Sequence, residues 1–474
     1  MSSCPPVIWW IRRDLRLHDN PALKAALEHG GPVLPVYILD PQEEALGAAP
    51  KFRLGRGLEH FQQVLEGLGS RLILRRGAAA AVLEKLCAET GAKMVVWSRL
   101  YDPEAIARDS EAKQQLKAQG IDAKSFGGRL LFEPWTVETK AGGMFKVYTP
   151  FWKSVRSRDV ADLLPAPNSL PAPEAWPRSE ALADWALDAG MSRGGDVVAR
   201  FCHVGETAAL NRLSDFLEQR VDAYKERRDF PAEDATSGLS ENLAWGEISP
   251  HRMWHQARAA MQRGGQGAET FLKELVWREF AYHLLYHSPH ILTRSWRDEW
   301  GQFPWRKEDR DNLAAWQRGQ TGYDFVDAAM RELYVTGRMH NRARMIVASF
   351  LTKHLMIHWK CGMDWFAQTL VDWDPASNAM GWQWVAGCGP DASPFFRIFN
   401  PDGQLQKFDA KGVYTSRWIA EGQSAPPEEA LAFFDAVPRS WNLTPDMARA
   451  TPVISLQHGR ERALAAYQNM RNAG

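Results

Sequence analysis

Residues 323–400 concentrate the side chains best equipped for chemistry in this chain. Asn341, Arg342, Arg344 and Met345 fall on one short run, Asp372 and Asp374 follow as an acid pair, and Asn378 comes next, with Trp359, Trp382 and Trp384 interleaved. Hydrolases and transferases have little use for so many indoles beside so few nucleophiles. Indole can be oxidised to a radical and returned, so the pattern points to movement of single electrons. Upstream, FLKELVWREFAYHLLYH (271–287) sets Glu274, Trp277 and Arg278 at i, i+3 and i+4, on one helix face.

Several helices must hold these groups. The run 338–359 reads as one helix, with Asn341 and Met345 one turn apart and His340 and Arg344 on the adjacent stripe. Its apolar positions Ile346, Val347, Phe350, Leu351 and Leu355 continue toward Trp359, placing that ring on the core side. Gly337 is the expected C-cap that separates this helix from the one before it. Trp382 and Trp384 are two residues apart, so they cannot serve one site from one direction in a helix. One is expected to look toward a buried cofactor and the other toward a substrate cavity. Asp324, Asp327 and the run RKEDRD (306–311) read as solvated charge, and His340 as structural.

The first ~130 residues alternate β-rich and helical runs, as βαβ units do. VIWWI (7–11), VLPVYIL (33–39), RLILRR (71–76) and KMVVWS (93–98) are the expected strands. Together they predict an α/β domain with a parallel, doubly wound, Rossmann-like sheet covered by helices on both faces. No G-x-G-x-x-G follows the first strand and no G-x-x-x-x-G-K-[ST] occurs, which argues against a nicotinamide-binding domain and a P-loop. Residues ~160–200 are rich in Pro and Ala and read as a connector. From ~205 onward the period is helical almost throughout. The expected division is 1–132, a connector 133–204, and an all-α domain 205–474.

Composition narrows the class further. The 474 residues suffice for two or three domains, and Lys+Arg and Asp+Glu balance at 57 each, so any nucleic-acid face must be a local patch. The five cysteines (Cys4, Cys87, Cys202, Cys361, Cys388) form no C-x-x-C pair, which argues for reduced thiols and against zinc or a disulfide framework. No leader and no long apolar window is evident, so the expectation is a soluble, cytoplasmic protein without a membrane span.

Four motifs, WREF (277–280), GYDFVDAAMREL (322–333), MHNRARM (339–345) and NAMGWQW (378–384), are long and jointly specific. With WWIRRDLRLHDNPAL at the start and FFRIFNP…KFDAKGVYTSRWI near the end, the chain resembles the photolyase/cryptochrome family over nearly its whole length. It is most similar to bacterial photolyases that repair cyclobutane pyrimidine dimers (CPDs). The resemblance implies an N-terminal antenna-chromophore domain and a helical domain that holds FAD and damaged DNA, in a monomer.

It further implies that Tyr224, Phe271 and the TSGLS run (Thr236, Ser237, Gly238, Leu239, Ser240) hold the dinucleotide, the run wrapping its phosphates. The family usually has Arg at the position of Gly238, so a phosphate charge contact is either missing here or supplied elsewhere. Arg344 and Asp372 would pair at the flavin edge with Asp374 nearby, and Asn378 would face the flavin N5. Plant-type cryptochromes tend to carry Asp there, so Asn favours repair. Glu274, Trp277, Asn341, Arg342, Met345 and Trp384 would surround a flipped-out dimer, with Arg342 and Arg228 suited to flanking phosphates. Two His on this helix mark (6-4) repair, and Asn341 and Met345 stand in their places. Trp382, Trp359 and Trp305 match the family's chain of indoles between flavin and surface, with Trp300 and Trp316 as neighbouring alternatives to Trp305. Arg338 could touch DNA backbone or solvate a helix end.

The activity implied is light-driven transfer of an electron from reduced FAD to the dimer, which splits, with Glu274 stabilising the dimer radical anion. The antenna site, expected near RRDLRLHD (12–19) and YDPEAIARD (101–109), holds methenyltetrahydrofolate, an 8-hydroxy-deazaflavin or nothing. The folate branch has a Glu where this chain has Ala105, beside Glu104. A cryptochrome-type photoreceptor is the competing reading; the short run RERALAAYQNMRNAG after the helical region leads to the expectation of no signalling tail. An electron-transfer flavoprotein is more distant, because it would not need the Glu274, Trp277, Asn341 and Trp384 cluster.

Overall fold

The computed structural model describes residues 4–306 and 309–472, so Lys307 and Glu308 of the RKEDRD run lie outside the described residues. Five strands, Val7–Ile11 (β1), Val33–Leu39 (β2), Ile73–Arg76 (β3), Met94–Ser98 (β4) and Asp122–Phe126 (β5), form a parallel sheet in the order β3-β2-β1-β4-β5. All five β1 residues are buried because both faces are covered. Val7, Trp9 and Ile11 meet helices Pro21–Glu28 (α1) and Ala48–Gly67 (α2), whereas Ile8 and Trp10 meet Ala79–Thr90 (α3) and Pro103–Ala118 (α4). β5 was not among the expected strands. Its sequence, DAKSF, is polar because it forms a sheet edge with one buried residue.

The connector covers the opposite edge. Ser179 Oγ accepts from Leu74 N (2.9 Å) and Glu180 N donates to Leu74 O (2.9 Å), so the outer side of β3 is bonded. Leu170 and Trp185 complete the core beneath.

β2 and β4 flank β1, so the chain reverses direction across the sheet there, and the crevice opens beyond the carboxyl ends of β1 and β4. The RRDLRLHD loop leaves β1 at this point and docks the helical half. Arg16 donates to the carbonyls of His18, Asp19, Gly128 and Gly246. The backbone amides of Leu17 and His18 donate to Glu206, and Arg13 lies over the rings of Trp245 and Trp373.

Two apolar cores organise the helical half. One gathers Tyr148–Val155 (α5), Glu206–Gln219 (α6) and Ala268–His287 (α7). The other gathers Asp324–Thr336 (α8), Asn341–Ser349 (α9), Trp359–Thr369 (α10), Pro375–Ala386 (α11) and Leu456–Asn472 (α12). α11 packs against α7, α9 and α10, and so joins the two.

Gly337 does cap α8, with φ 65° and its N–H donating to Leu333 O. The single helix expected over 338–359 is instead two. α9 passes into a π-helical turn, Phe350–His354, then Met356 adopts φ 55° and α10 starts afresh at Trp359. The ring nitrogens explain the breaks: His340 accepts from Arg342 N and His358 from Lys360 N, each as an N-cap outside its helix. Burial first, then Arg342 and Arg344, push His340 down to about 4, so it is neutral and can accept. Asp327 also departs from expectation. It is buried, accepting from Thr321 N and Oγ1, Gly322 N and Arg449, whereas Asp324 is solvated. Among the described residues no helix is long and apolar enough to cross a membrane. All five cysteines are free thiols.

Candidate functional site

α9, α10 and α11 converge on one set of polar groups. Arg344 donates to Asp372 (2.7 Å) and, through Nε, to Met339 O (2.8 Å). The other Asp372 oxygen is buried and without a partner. Asp374 has both oxygens engaged: one caps α11 through Ser377 N (2.9 Å), the other receives Arg129 and the Tyr282 hydroxyl. Burial opposes its ionisation, but Arg129, Arg278 and the Tyr282 bond outweigh that and hold its pKa below the ordinary value. Its carboxylate anchors α11.

One turn into α11, Asn378 donates to Met363 O (3.0 Å) while its Oδ1 is buried with no partner. A Cβ added at Gly381, three residues on, would meet nothing within 4 Å. An unanswered amide oxygen, a half-answered carboxylate and open space beside a helical glycine suit a flat, polar-edged group such as the flavin ring. In the next position, Trp382 is buried and lies on Gly362, where a Cβ would come 2.0 Å from the indole. Only glycine allows α10 this approach.

Gly362 stands three residues after Trp359, which is fully buried and donates to Ser295 Oγ (3.2 Å). The His358 ring lies 5.2 Å from the Trp359 ring and 5.2 Å from that of Trp305, which reaches partial exposure. Trp382 and Trp359 are thus buried and Trp305 is partly exposed. Trp300 and Trp316, the alternatives to Trp305, are both buried, Trp316 with its ring 6.1 Å from that of Trp382. Trp384 is only partly buried, so the two indoles of α11 do differ in environment.

On α7, Glu274, Trp277 and Arg278 are all half-buried. Trp277 stacks on Tyr148 with centroids 3.7 Å apart and planes 8° from parallel. Glu274 pairs with Arg228, and Arg342 pairs with Asp229 (2.6 Å) above the Phe408 ring. Each arginine expected at phosphates is therefore held by a carboxylate. Asn341 is exposed at the start of α9, and Met345 lies one turn on, half-buried. Packing of α11 against α7 and α9 brings together the helices that carry these side chains.

The TSGLS run forms a turn ahead of a short helix, Ser240–Trp245, with Leu239 buried and Gly238 at φ 61°. Tyr224 and Phe271 are buried beside it in the sequence-distant core of α6 and α7. Arg212, on α6, reaches this turn, its guanidinium donating to Ser237 O (3.5 Å). Arg338 donates to Phe201 O, so it is committed to the protein rather than to an outer face. Between the halves lies a cavity of about 500 Å³, lined by Arg13, Glu43, Glu104, Arg129, Met363 and Asn378 among others. Sequence reasoning missed Tyr148, Arg129, Tyr282 and Arg212, which have no local motif and meet the site only through the fold.

Comparison with known proteins bears on this arrangement. The family model described as "FAD binding domain of DNA photolyase" matches residues 271–469, and the one described as "DNA photolyase" matches residues 7–173. The chain is 47% identical to the deoxyribodipyrimidine photo-lyase of Agrobacterium fabrum, over 98% of this chain and 97% of that one. It is 34% identical to cryptochrome-2 of Arabidopsis thaliana, over 98% of this chain and 79% of that one. The crystal structure of a bacterial class III photolyase from Agrobacterium tumefaciens superposes with a TM-score of 0.92 at 45% identity, covering 100% of this chain and 98% of that one.

Proposed function

Since the chain belongs to the DNA photolyase family, we propose that it repairs cyclobutane pyrimidine dimers in DNA, using light and FAD. The observation that carries this reading is the unanswered Asn378 Oδ1 beside the open space at Gly381, framed by the Arg344–Asp372 pair. When bound in its reduced form, the flavin supplies the excited-state electron that the reaction needs.

The chain's own residues bind and orient. A dimer pairs poorly, so its extrusion from the duplex costs less than that of intact bases. Trp277, already stacked on Tyr148, and Trp384 offer flat walls, and Met345 fills between them. Glu274 keeps one carboxylate oxygen on Arg228 and has the other for the dimer's polar edge, with Asn341 as a second hydrogen-bonding group. Arg344 and Asp372 set the field at the cofactor edge. Trp382, Trp359 and Trp305 conduct an electron inward from the surface. The Arg13, Glu43 and Glu104 side of the cavity between the two halves is the proposed seat of the antenna, a folate or a deazaflavin.

The experiment exposes purified, reduced protein to oligonucleotides bearing one CPD or one (6-4) photoproduct, in light and in darkness. CPD repair confined to light, and reduced about ten- to a hundred-fold in Glu274→Ala and Trp277→Ala, is the expected result, the size being that of one hydrogen bond to a charged group or one stacked base. A protein that repairs neither lesion in light is a photoreceptor, and this reading fails.

A further inference from the structure

Gly238 has left-handed backbone, φ 61°, and the direction its side chain would take is already filled. A Cβ built there would fall 1.8 Å from an Arg212 guanidinium nitrogen and 2.9 Å from its Cζ. Arg212 comes from a different helix, 26 residues earlier in the chain, and brings its charge against the Thr236–Ser240 turn.

Among the described residues Arg212 has no carboxylate within ion-pair distance; its one hydrogen bond is to Ser237 O, at 3.5 Å, and its Nε is buried without a partner. Arg338 adds a second guanidinium, bonded to Phe201 O and, among the described residues, without an ion pair. Of the two acids that act on Arg212, Glu241 is fully buried, accepts from His203 N and lies 3.9 Å from Arg53, and Asp234 pairs with Arg220. The surplus is felt locally: burial, then Arg212, Arg338 and Arg53, push His203 down to about 4. Two guanidiniums that repel one another, with the buried Nε of Arg212 unanswered, make a site that an anion completes.

We propose that Arg212 binds the diphosphate of the flavin dinucleotide, reaching across the Thr236–Ser240 turn into the space that Gly238 leaves free. The fork of a guanidinium matches phosphate oxygens, and Arg338 behind it adds to the same field. The inference rests on the reading that FAD occupies the helical half with its phosphates at this turn.

The test follows flavin release from the holoprotein on dilution, by recovery of flavin fluorescence, at increasing potassium chloride. Arg212→Ala is expected to release FAD about ten- to a hundred-fold faster, as loss of a charge-assisted phosphate contact predicts, and to show a weaker salt dependence. Arg212→Lys keeps the charge and retains most of the hold. In Arg212→Ala/Gly238→Arg the new side chain occupies the vacated volume, and slow release returns in part. A merely structural role for Arg212 predicts no such rescue. Unchanged release and salt slope in Arg212→Ala, in a variant that melts with wild type, overturn the inference while FAD binding itself stands. If the wild-type protein purifies without flavin, it is the cofactor reading that fails.

Discussion

Replacing Arg344 by Met tests whether the Arg344–Asp372 pair is a matched unit. The Asp372 side chain is 2% exposed, one of its oxygens already lacks a partner, and the other is answered by Arg344. Removing one member of a buried pair strands the other, at a cost of about 3–5 kcal/mol. Arg344 is itself 29% exposed, so water screens part of this, and the lower value of about 2–3 kcal/mol is the better expectation. At roughly 2 °C per kcal/mol for a unit of this size, the melting temperature should fall by about 4–6 °C. Arg344→Met/Asp372→Asn removes the stranded charge and should recover most of the loss. Arg344→Lys should not match wild type, because one ammonium cannot reproduce the separate bonds to Asp372 and Met339 O. Thermal melts of the flavin-bearing proteins, read by circular dichroism and by flavin release, give the answer. A single variant melting within a degree of wild type, or a double variant no better than the single, refutes the reasoning.

Two other outcomes are expected. Trp382→Phe should slow light-driven reduction of oxidised flavin and spare repair by pre-reduced enzyme; photoreduction at the wild-type rate, measured by absorbance, would assign the first step to another indole. Glu279 accepts from the backbone amides of Leu131 and Phe132, and burial raises its carboxyl to about 7. The folded state then binds this proton more tightly than the unfolded chain, so the contribution is complete below the ordinary glutamate range and is lost as pH rises through about 7, a change of about 3 kcal/mol. Glu279→Gln should gain on wild type as pH rises from 5 to 8 in denaturant melts, and a pH-independent difference would contradict the assignment.

β1 and β2 were legible to the residue because strands buried on both faces are continuous apolar runs, and an apolar run is a local signal. β5 was not, since an edge strand needs little apolar sequence. Helical period carried the reading of 338–359 too far: it registers which face is apolar and does not register a π turn or a histidine cap. Asp327 looked solvated because its partners, Thr321 and Arg449, are a turn and a remote segment. Of the candidate indoles and amides, Trp277, Asn341, Asn378, Trp382 and Trp384 lie in the long motifs, whereas Trp305 and Trp359 lie outside them. Arg212 and Tyr148 lie on helices that carry no motif, and only tertiary contact brings them to the Thr236–Ser240 turn and to Trp277.

The loop after β1 also bears on how far the protein can be divided. Arg16 spends its donors on four carbonyls drawn from its own loop, from the strand-to-helix crossing at Gly128 and from Gly246 in the other half. Either half produced alone would leave that guanidinium, or the carbonyls it serves, facing nothing in a surface built to be covered. Sheet and helices are therefore expected to unfold as one cooperative body, and the two halves are not interchangeable modules.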